Sequence, residues 1–279
     1  MAPSIAAPGG MDHIALIGNF LPRKCGLATF TTDTYNALKQ RFPDLKVDVY
    51  AMDDRPGLHA YPPAVTHSIP QNDRAAYSEA ARRIAESGAK ALWVQHEYGI
   101  YGGAAGDYLL ALLDRVTVPV IVTLHTILEK PSADERRVMD ALLRRAARVI
   151  VMADKGREIL TRVHGVDPRK LVMIPHGVPN RAYVEPAAMK GRFGWADRDV
   201  ILTFGLLAPN KGIETMIEAM PAVVGAHPRA LYVVLGATHP HLVEHEGEAY
   251  RDRLKALAGD RGVADNVVFV DAFVEHEEL

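Results

Sequence analysis

The sequence predicts an α/β protein built on parallel sheets, and two observations predict it. Short apolar runs bounded by Gly, Pro or polar residues alternate with amphipathic stretches over almost the whole chain. Strands separated in this way by helices pair in parallel, with helices on both faces. The alternation lapses once, near residues 179–195, and then restarts, which divides the 279 residues into two units.

In the first unit, His13–Gly18 (HIALIG) reads as a buried strand, followed by the loop FLPRKCG and a helix over residues 27–41. Residues 46–51 place Val47, Val49 and Ala51 at the strand period. A helix over 74–87 ends at Gly88, which suits the left-handed position after a helix. Residues 91–95 read as a strand and 104–114 as a helix. The run VPVIVTL over 118–124 is short and β-branched, hence a buried strand. Ser132 and Glu135 form an S-x-x-E capping box after Pro131, and the helix they start carries Val138, Leu142 and Ala146 on one face. A strand over 149–152, a helix over 155–164 stopped by Gly165, and a strand over 171–174 running into Pro175, His176 and Gly177 complete the unit.

The second unit repeats the pattern: strand 200–204, loop 205–211, helix 212–225, strand 231–235, helix 246–258, strand 267–270. The expected organisation is a disordered, Pro/Gly-rich tail over 1–10, a Rossmann-like domain over 11–180 and a second over 181–279. The second has three strands where a doubly wound domain has about five or six, so it reads as incomplete.

Composition narrows the function. With 48% hydrophobic and 24% charged residues the chain is ordinary globular material. A net charge of −2 supplies no basic footprint for nucleic acid. The single cysteine, Cys25, cannot form an internal disulfide. No apolar run approaches the roughly 20 residues of a membrane helix. Residues 1–10 lack the charged start and apolar core of a secretory signal. A cytoplasmic location is expected.

Ligands of open parallel sheets bind beyond the carboxyl ends of the strands, and five polar segments fall there. Arg23, Lys24, Cys25 and Gly26 precede a helix whose free N–H groups and dipole suit an anion, although a plain turn would also use the glycine. His125 ends VTLHT and faces the same edge, as a sugar-hydroxyl contact or a solvated histidine. Gly205 to Gly212 (GLLAPNKG) brings Lys211 to a helix start, a pyrophosphate-type site. Residues 95–99 (QHEYG), with His96, Glu97 and Tyr98, could line an acceptor pocket. His239 and His241 with Glu244, His245, Glu246 and Glu248 could ligate zinc, but the intervening Pro240 argues against it and no metal is expected. Cys25 lacks a sequence-adjacent base for covalent catalysis. The chain has no complete P-loop, G-x-S-x-G or H-E-x-x-H.

In order along the chain, the Gly26 loop, VTLHT, IPHG, FGLLAPNKGIETMIEAM, GATHPH and NVVFVDAFVEHEEL resemble a family-four glycosyltransferase of the GT-B fold, from about residue 13 to residue 279. The resemblance implies a retaining hexosyltransferase that takes a nucleotide-diphosphate sugar, of the GDP-mannose or UDP-glucose type, as substrate without a required cofactor. It implies an N-terminal domain for a sugar or lipid acceptor, the latter bringing peripheral membrane contact, and a C-terminal domain for the donor. By position His125 matches the histidine that touches the donor sugar, and Lys211 the lysine that stabilises the leaving diphosphate. Gly26, Arg23 and Lys24 fall in the diphosphate-contacting loop, with Gly205, Lys211 and Gly212 on the donor side. His96, Glu97 and Tyr98 would face the acceptor. Leu206 stands where the family usually has an arginine, and the family's later glutamate pair would lie past Leu279. The chain alone is therefore expected to have little transferase activity. A non-catalytic nucleotide-sugar binder and a sugar-nucleotide epimerase of the same fold are the alternatives.

Overall fold

A computed structural model of the chain describes residues 8–54, 56–57, 59–178 and 182–274. It divides into two compact units, Met1–Val178 and Pro179–Leu279. The tail expected over 1–10 lies outside the described residues except for a single 3-10 turn, Pro8–Gly10. The last residues of the resembling segment, 275–279, lie outside them too.

Among its described residues the first unit carries seven strands: β1 (His13–Gly18), β2 (Lys46–Asp53), β3 (Val65–Pro70), β4 (Leu92–His96), β5 (Val120–Leu124), β6 (Ala146–Val151) and β7 (Leu171–Met173). They form one sheet in the order β3-β2-β1-β4-β5-β6-β7, and every pair is parallel. The chain reverses its direction of progress across the sheet between β1 and β4. This is the switch point at which loops on the carboxyl edge diverge and leave room for a ligand.

Five helices pack on this sheet: α1 (Gly26–Arg41), α2 (Arg74–Ser87), α3 (Tyr108–Leu113), α4 (Ala133–Arg145) and α5 (Asp154–His164). One face meets α2, α3, α4 and α5 through Ala15, Ile17, Leu92, Val94, Val122 and Leu124, packed with Tyr77, Ile84, Leu109, Leu142 and Leu160. The other presents Ile14, Leu16 and Trp93 to Phe20, Tyr35, Leu38 and Phe42 around α1. Gly88 and Gly165 end α2 and α5 in the left-handed region, at φ 79° and 62°. The capping box closes as the sequence implies, Ser132 Oγ accepting from Glu135 N and Glu135 Oε2 accepting from Ser132 N.

The second unit has strands β8 (Asp199–Phe204), β9 (Ala230–Leu235) and β10 (Val267–Val270), parallel in the order β10-β9-β8. Its helices are α6 (Pro186–Arg192), α7 (Ile213–Ala226), α8 (Pro240–Glu246) and α9 (Ala249–Asp260). Ile213, Ile217 and Met220 of α7 and Tyr250, Leu254 and Ala258 of α9 bury Ala230, Tyr232 and Val234 on one face. On β8, Leu202 and Phe204 point to the opposite side and remain exposed.

Four differences from the sequence reading have local causes. β3 escapes the apolar pattern because it is an edge strand carrying Thr66, His67 and Ser68. The helix expected over 104–114 is a 3-10 turn, Ala104–Gly106, followed by the short α3. Gly102, Gly103 and Gly106 turn the chain there: a Cβ at Gly102 would lie 2.1 Å from the Gln71 carbonyl oxygen. α6 begins with Pro186 at its first position, inside the stretch where periodicity lapses. α8 likewise starts on the proline of GATHPH.

Candidate functional site

Side-chain parity assembles the site in the first unit. Leu16 pairs with Trp93 in the β1–β4 register, and Gln95 with Thr123 in the β4–β5 register. Successive side chains alternate faces, so Gly18, Gln95 and His125 share the α1 face at the carboxyl edge. Gly18 is required there, since a Cβ would stand 2.9 Å from Gln95 Cβ. Trp93 Nε1 donates to Thr123 Oγ1 at 2.9 Å, and one step nearer the edge His125 Nε2 meets Gln95 Oε1 at 3.0 Å. From α1, Phe30 lies edge-to-face with His125 (4.7 Å) and with His176 (5.2 Å), which follows β7. Burial, and then the nearby His176, push the His125 pKa down to about 4. The ring is therefore neutral at physiological pH, and His125 Nδ1 has no hydrogen bond to a described residue.

The same parity turns His96 to the other face. It is fully buried, edge-to-face with Tyr98 at 5.0 Å and stacked on Tyr101 at 6.0 Å. Neither ring nitrogen has a partner, and burial pushes its pKa down to about 3. The expected acceptor-side role of His96 therefore meets a ring enclosed in the core. Glu97 is engaged by its own loop and the next: Oε1 accepts from Tyr98 N at 3.0 Å and Oε2 from the Thr126 hydroxyl after β5. Tyr98 is half-buried and its hydroxyl donates to the Glu135 carbonyl at 3.5 Å.

The loop before α1 is built around Cys25, the residue capping that helix. Its Sγ accepts from Ala28 N at 3.3 Å and from Asn19 Nδ2 at 3.2 Å. Gly26 opens the helix, and a Cβ added there would meet no atom within 4 Å, so its backbone stands open. Arg23 is committed inside the unit, donating to Asn19 Oδ1 (3.1 Å) and Met52 O (3.3 Å) and pairing with Asp54 (3.4 Å). Lys24 is exposed beside it. Among the described residues the only group at metal-ligand spacing is Asp53, Asp54 and His59, where Arg23 already balances Asp54; the His241 side chain of the expected histidine cluster lies outside them.

In the second unit Gly205 (φ 122°) and Gly236 (φ 154°) allow the loops after β8 and β9 to touch; a Cβ at Gly236 would lie 1.9 Å from Gly205 O. Leu207 N donates to Ala237 O and His239 N to Leu207 O, which zips the two loops together. Leu206 precedes this buried Leu207. Lys211 closes a 3-10 turn, and Gly212 (φ 66°) follows as the residue capping α7. The Lys211 ammonium is exposed and has no hydrogen bond or ion pair to a described residue. Beneath the loops Arg251, 3% exposed, donates to Gly236 O (3.0 Å), Thr238 Oγ1 (3.3 Å) and Asp271 Oδ1 (2.7 Å), and from Nε to Glu248 (3.0 Å). The Thr238 hydroxyl, and then Arg251, hold Glu248 below the usual carboxylate range.

Sequence reasoning passed over Phe30, Gly18, Arg251 and the pairing of Gln95 with His125. Only register could have joined Gln95 to His125. Arg251 does leave a trace, as a charge between Tyr250 and Leu254 on the apolar side of its helix.

Two family models cover most of the chain: Glycosyltransferase Family 4 over residues 25–181 and Glycosyl transferases group 1 over residues 189–279. Among curated relatives, the alpha-D-kanosaminyltransferase of Streptomyces kanamyceticus is 25% identical over 191 residues, covering 63% of this chain and 47% of the relative. A D-inositol 3-phosphate glycosyltransferase of Segniliparus rotundus is 27% identical over 168 residues, 55% of this chain and 36% of the relative. The chain thus spans about half or less of the length of these relatives. Among solved structures, Anabaena HepE in complex with UDP and glucose aligns with a TM-score of 0.69 at 15% identity, covering 92% of this chain and 69% of that one. A glycosyltransferase from Rickettsia africae aligns with a TM-score of 0.65 at 13% identity, over 93% and 68%. At these identities the structural likeness establishes the fold alone, the GT-B class of Rossmann-like units. No described helix is long and apolar enough to cross a membrane. With the first model matching more than half of its residues, the chain belongs to glycosyltransferase family 4.

Proposed function

We propose that this chain is part of a retaining glycosyltransferase that moves a hexose from a nucleotide-diphosphate sugar to a sugar or lipid acceptor. The reading assigns the acceptor to the first unit and the donor to the second, with no cofactor beyond the donor itself. One observation carries it: His125 stands neutral at the carboxyl edge, one strand from the switch point, beside Phe30 and with His176 near, with Nδ1 uncommitted.

Sugar transfer passes through a cation-like sugar and leaves charge on the departing phosphate. An imidazolium beside that sugar would oppose the developing charge, whereas a neutral ring can bond a hydroxyl without doing so. Lys211 supplies positive charge that gains most as the diphosphate leaves, which favours the transition state over bound donor. The α7 N–H groups and the open Gly26 backbone are further suited to an anion. Arg23, held by Asp54 and Asn19, plays no part in this reading. Nor does His96. Glu97, with both oxygens engaged, is no free nucleophile; the leaving phosphate takes the acceptor's proton in this scheme. The printed name of one relative, D-inositol 3-phosphate glycosyltransferase, supports a small polar acceptor, and that of another, GDP-mannose-dependent alpha-(1-6)-phosphatidylinositol monomannoside mannosyltransferase, a lipid one.

Thermal unfolding of the chain with GDP, UDP, ADP and their sugar conjugates tests the reading. A ligand at a hundred times its Kd adds about 2.7 kcal/mol to the folded state. Stabilisation by one nucleotide family, abolished in Lys211→Ala, is expected. No stabilisation by any of them, or one indifferent to Lys211, refutes the assignment.

A further inference from the structure

An imidazole can offer a sugar hydroxyl a donor or an acceptor, and the partner of its other nitrogen decides which. His125 Nε2 lies 3.0 Å from Gln95 Oε1, while Nδ1 is bonded to no described residue. We propose that Gln95 is a positioning residue that holds His125 as the Nε2–H tautomer, so that Nδ1 presents its lone pair to a hydroxyl of the bound sugar. The identity of that hydroxyl rests on the transferase reading; the tautomer does not.

Three features argue for this role. Gln95 is fully buried, yet its Nε2 finds no partner. A leucine would fill the same place without an unpaired amide, so packing does not explain the polar group. The one side-chain hydrogen bond that Gln95 makes is to His125. The surroundings also hold the residue: the Gln95 backbone carbonyl accepts from the Tyr101 hydroxyl at 2.8 Å, and the absent Cβ of Gly18 leaves the space over β1 that the Gln95 side chain occupies. Phe30 also meets the imidazole edge-to-face at 4.7 Å, so the ring plane has a second contact besides Gln95.

The donor is an ordinary N–H and the acceptor an amide oxygen, with Nδ1 left as a pure acceptor. A hydroxyl donating to it keeps its own lone pairs for other contacts. A sugar position bearing no donor, such as a methoxy group, would lose the contact altogether.

Long-range proton–nitrogen correlation on the nitrogen-15-labelled full chain at neutral pH reads the tautomer, with His125→Asn identifying the ring. The expected result is a protonated Nε2 and bare Nδ1, with the ring N–H exchanging about tenfold more slowly than in Gln95→Leu. A protonated Nδ1, a doubly protonated ring, or equal exchange in the two chains overturns the proposal. Should Gln95→Leu not fold, the tautomer of the parent chain decides. Absence of the nucleotide stabilisation described above, with this signature intact, counts against the transferase reading alone.

Discussion

Replacing His96 with phenylalanine should make the first unit more stable, and more so in acid. His96 is enclosed with both ring nitrogens unpaired and its pKa pushed down to about 3, against 6.5 for a free ring. A folded pKa below the unfolded one means that the unfolded chain takes up the proton first. Stability is thus whole above pH 6.5 and falls as pH drops toward 3. For these two values the loss is about 2 kcal/mol at pH 5 and about 0.2 kcal/mol at pH 7. His125, with a folded value of about 4, adds a loss of the same sign, reduced by its partial exposure. His96→Phe removes the first contribution, and with it a desolvation penalty of about 1–3 kcal/mol that is independent of pH.

The chain has two tryptophans, Trp93 in the first unit and Trp195 in the second. In a Trp195→Phe background, urea unfolding followed by Trp93 fluorescence reports the first unit alone. The stability advantage of His96→Phe should grow by about 2 kcal/mol between pH 7 and pH 5. An advantage that stays constant over that range, or a variant less stable at both pH values, would mean that the folded ring titrates normally or has a partner, and would refute the reasoning.

Four further outcomes rest on local packing. Gly236→Ala drives a methyl to within 1.9 Å of Gly205 O at φ 154° and should destabilise the second unit by roughly 3 kcal/mol; urea titration of Trp195 in a Trp93→Phe background measures this. Gly26→Ala, in open space, should stay within about 0.5 kcal/mol by Trp93. Arg251→Met strips the Gly236 carbonyl of its donor but leaves Asp271 and Glu248 (58% and 45% exposed) able to rehydrate, so a loss of about 2 kcal/mol is expected, with faster amide exchange around Thr238. Ser132→Ala opens the capping box and should lower first-unit stability by about 1 kcal/mol, read from Trp93.

Most of the fold was legible because its signals are local. β1, β5 and β9 are apolar runs too short for helices, and Gly88, Gly165 and Ser132 mark helix ends by their own chemistry. β3 was illegible because an edge strand is allowed to be polar. The candidate positions were legible as strand ends, each in its own unit, since His125 and Lys211 end or follow recognisable strands. What each side chain does there was not. Gln95 and His96 are adjacent in sequence, yet one faces His125 and the other is sealed between two tyrosines, a split that depends on strand register. Arg23 looked available to an anion because two of its partners, Met52 and Asp54, lie far along the chain.

β8 leaves the second unit with a particular colloidal character. Among the described strands it pairs on one side only, and Leu202 and Phe204 stand exposed on one of its faces. Sheet borders in soluble proteins commonly carry lysines or prolines that keep strangers off; past Asp199 this one carries neither. A net charge of −2 over 279 residues adds little mutual repulsion between molecules. In the 279-residue chain, contact between molecules through Leu202 and Phe204 should therefore grow with protein concentration, with little charge repulsion for dilute salt to screen.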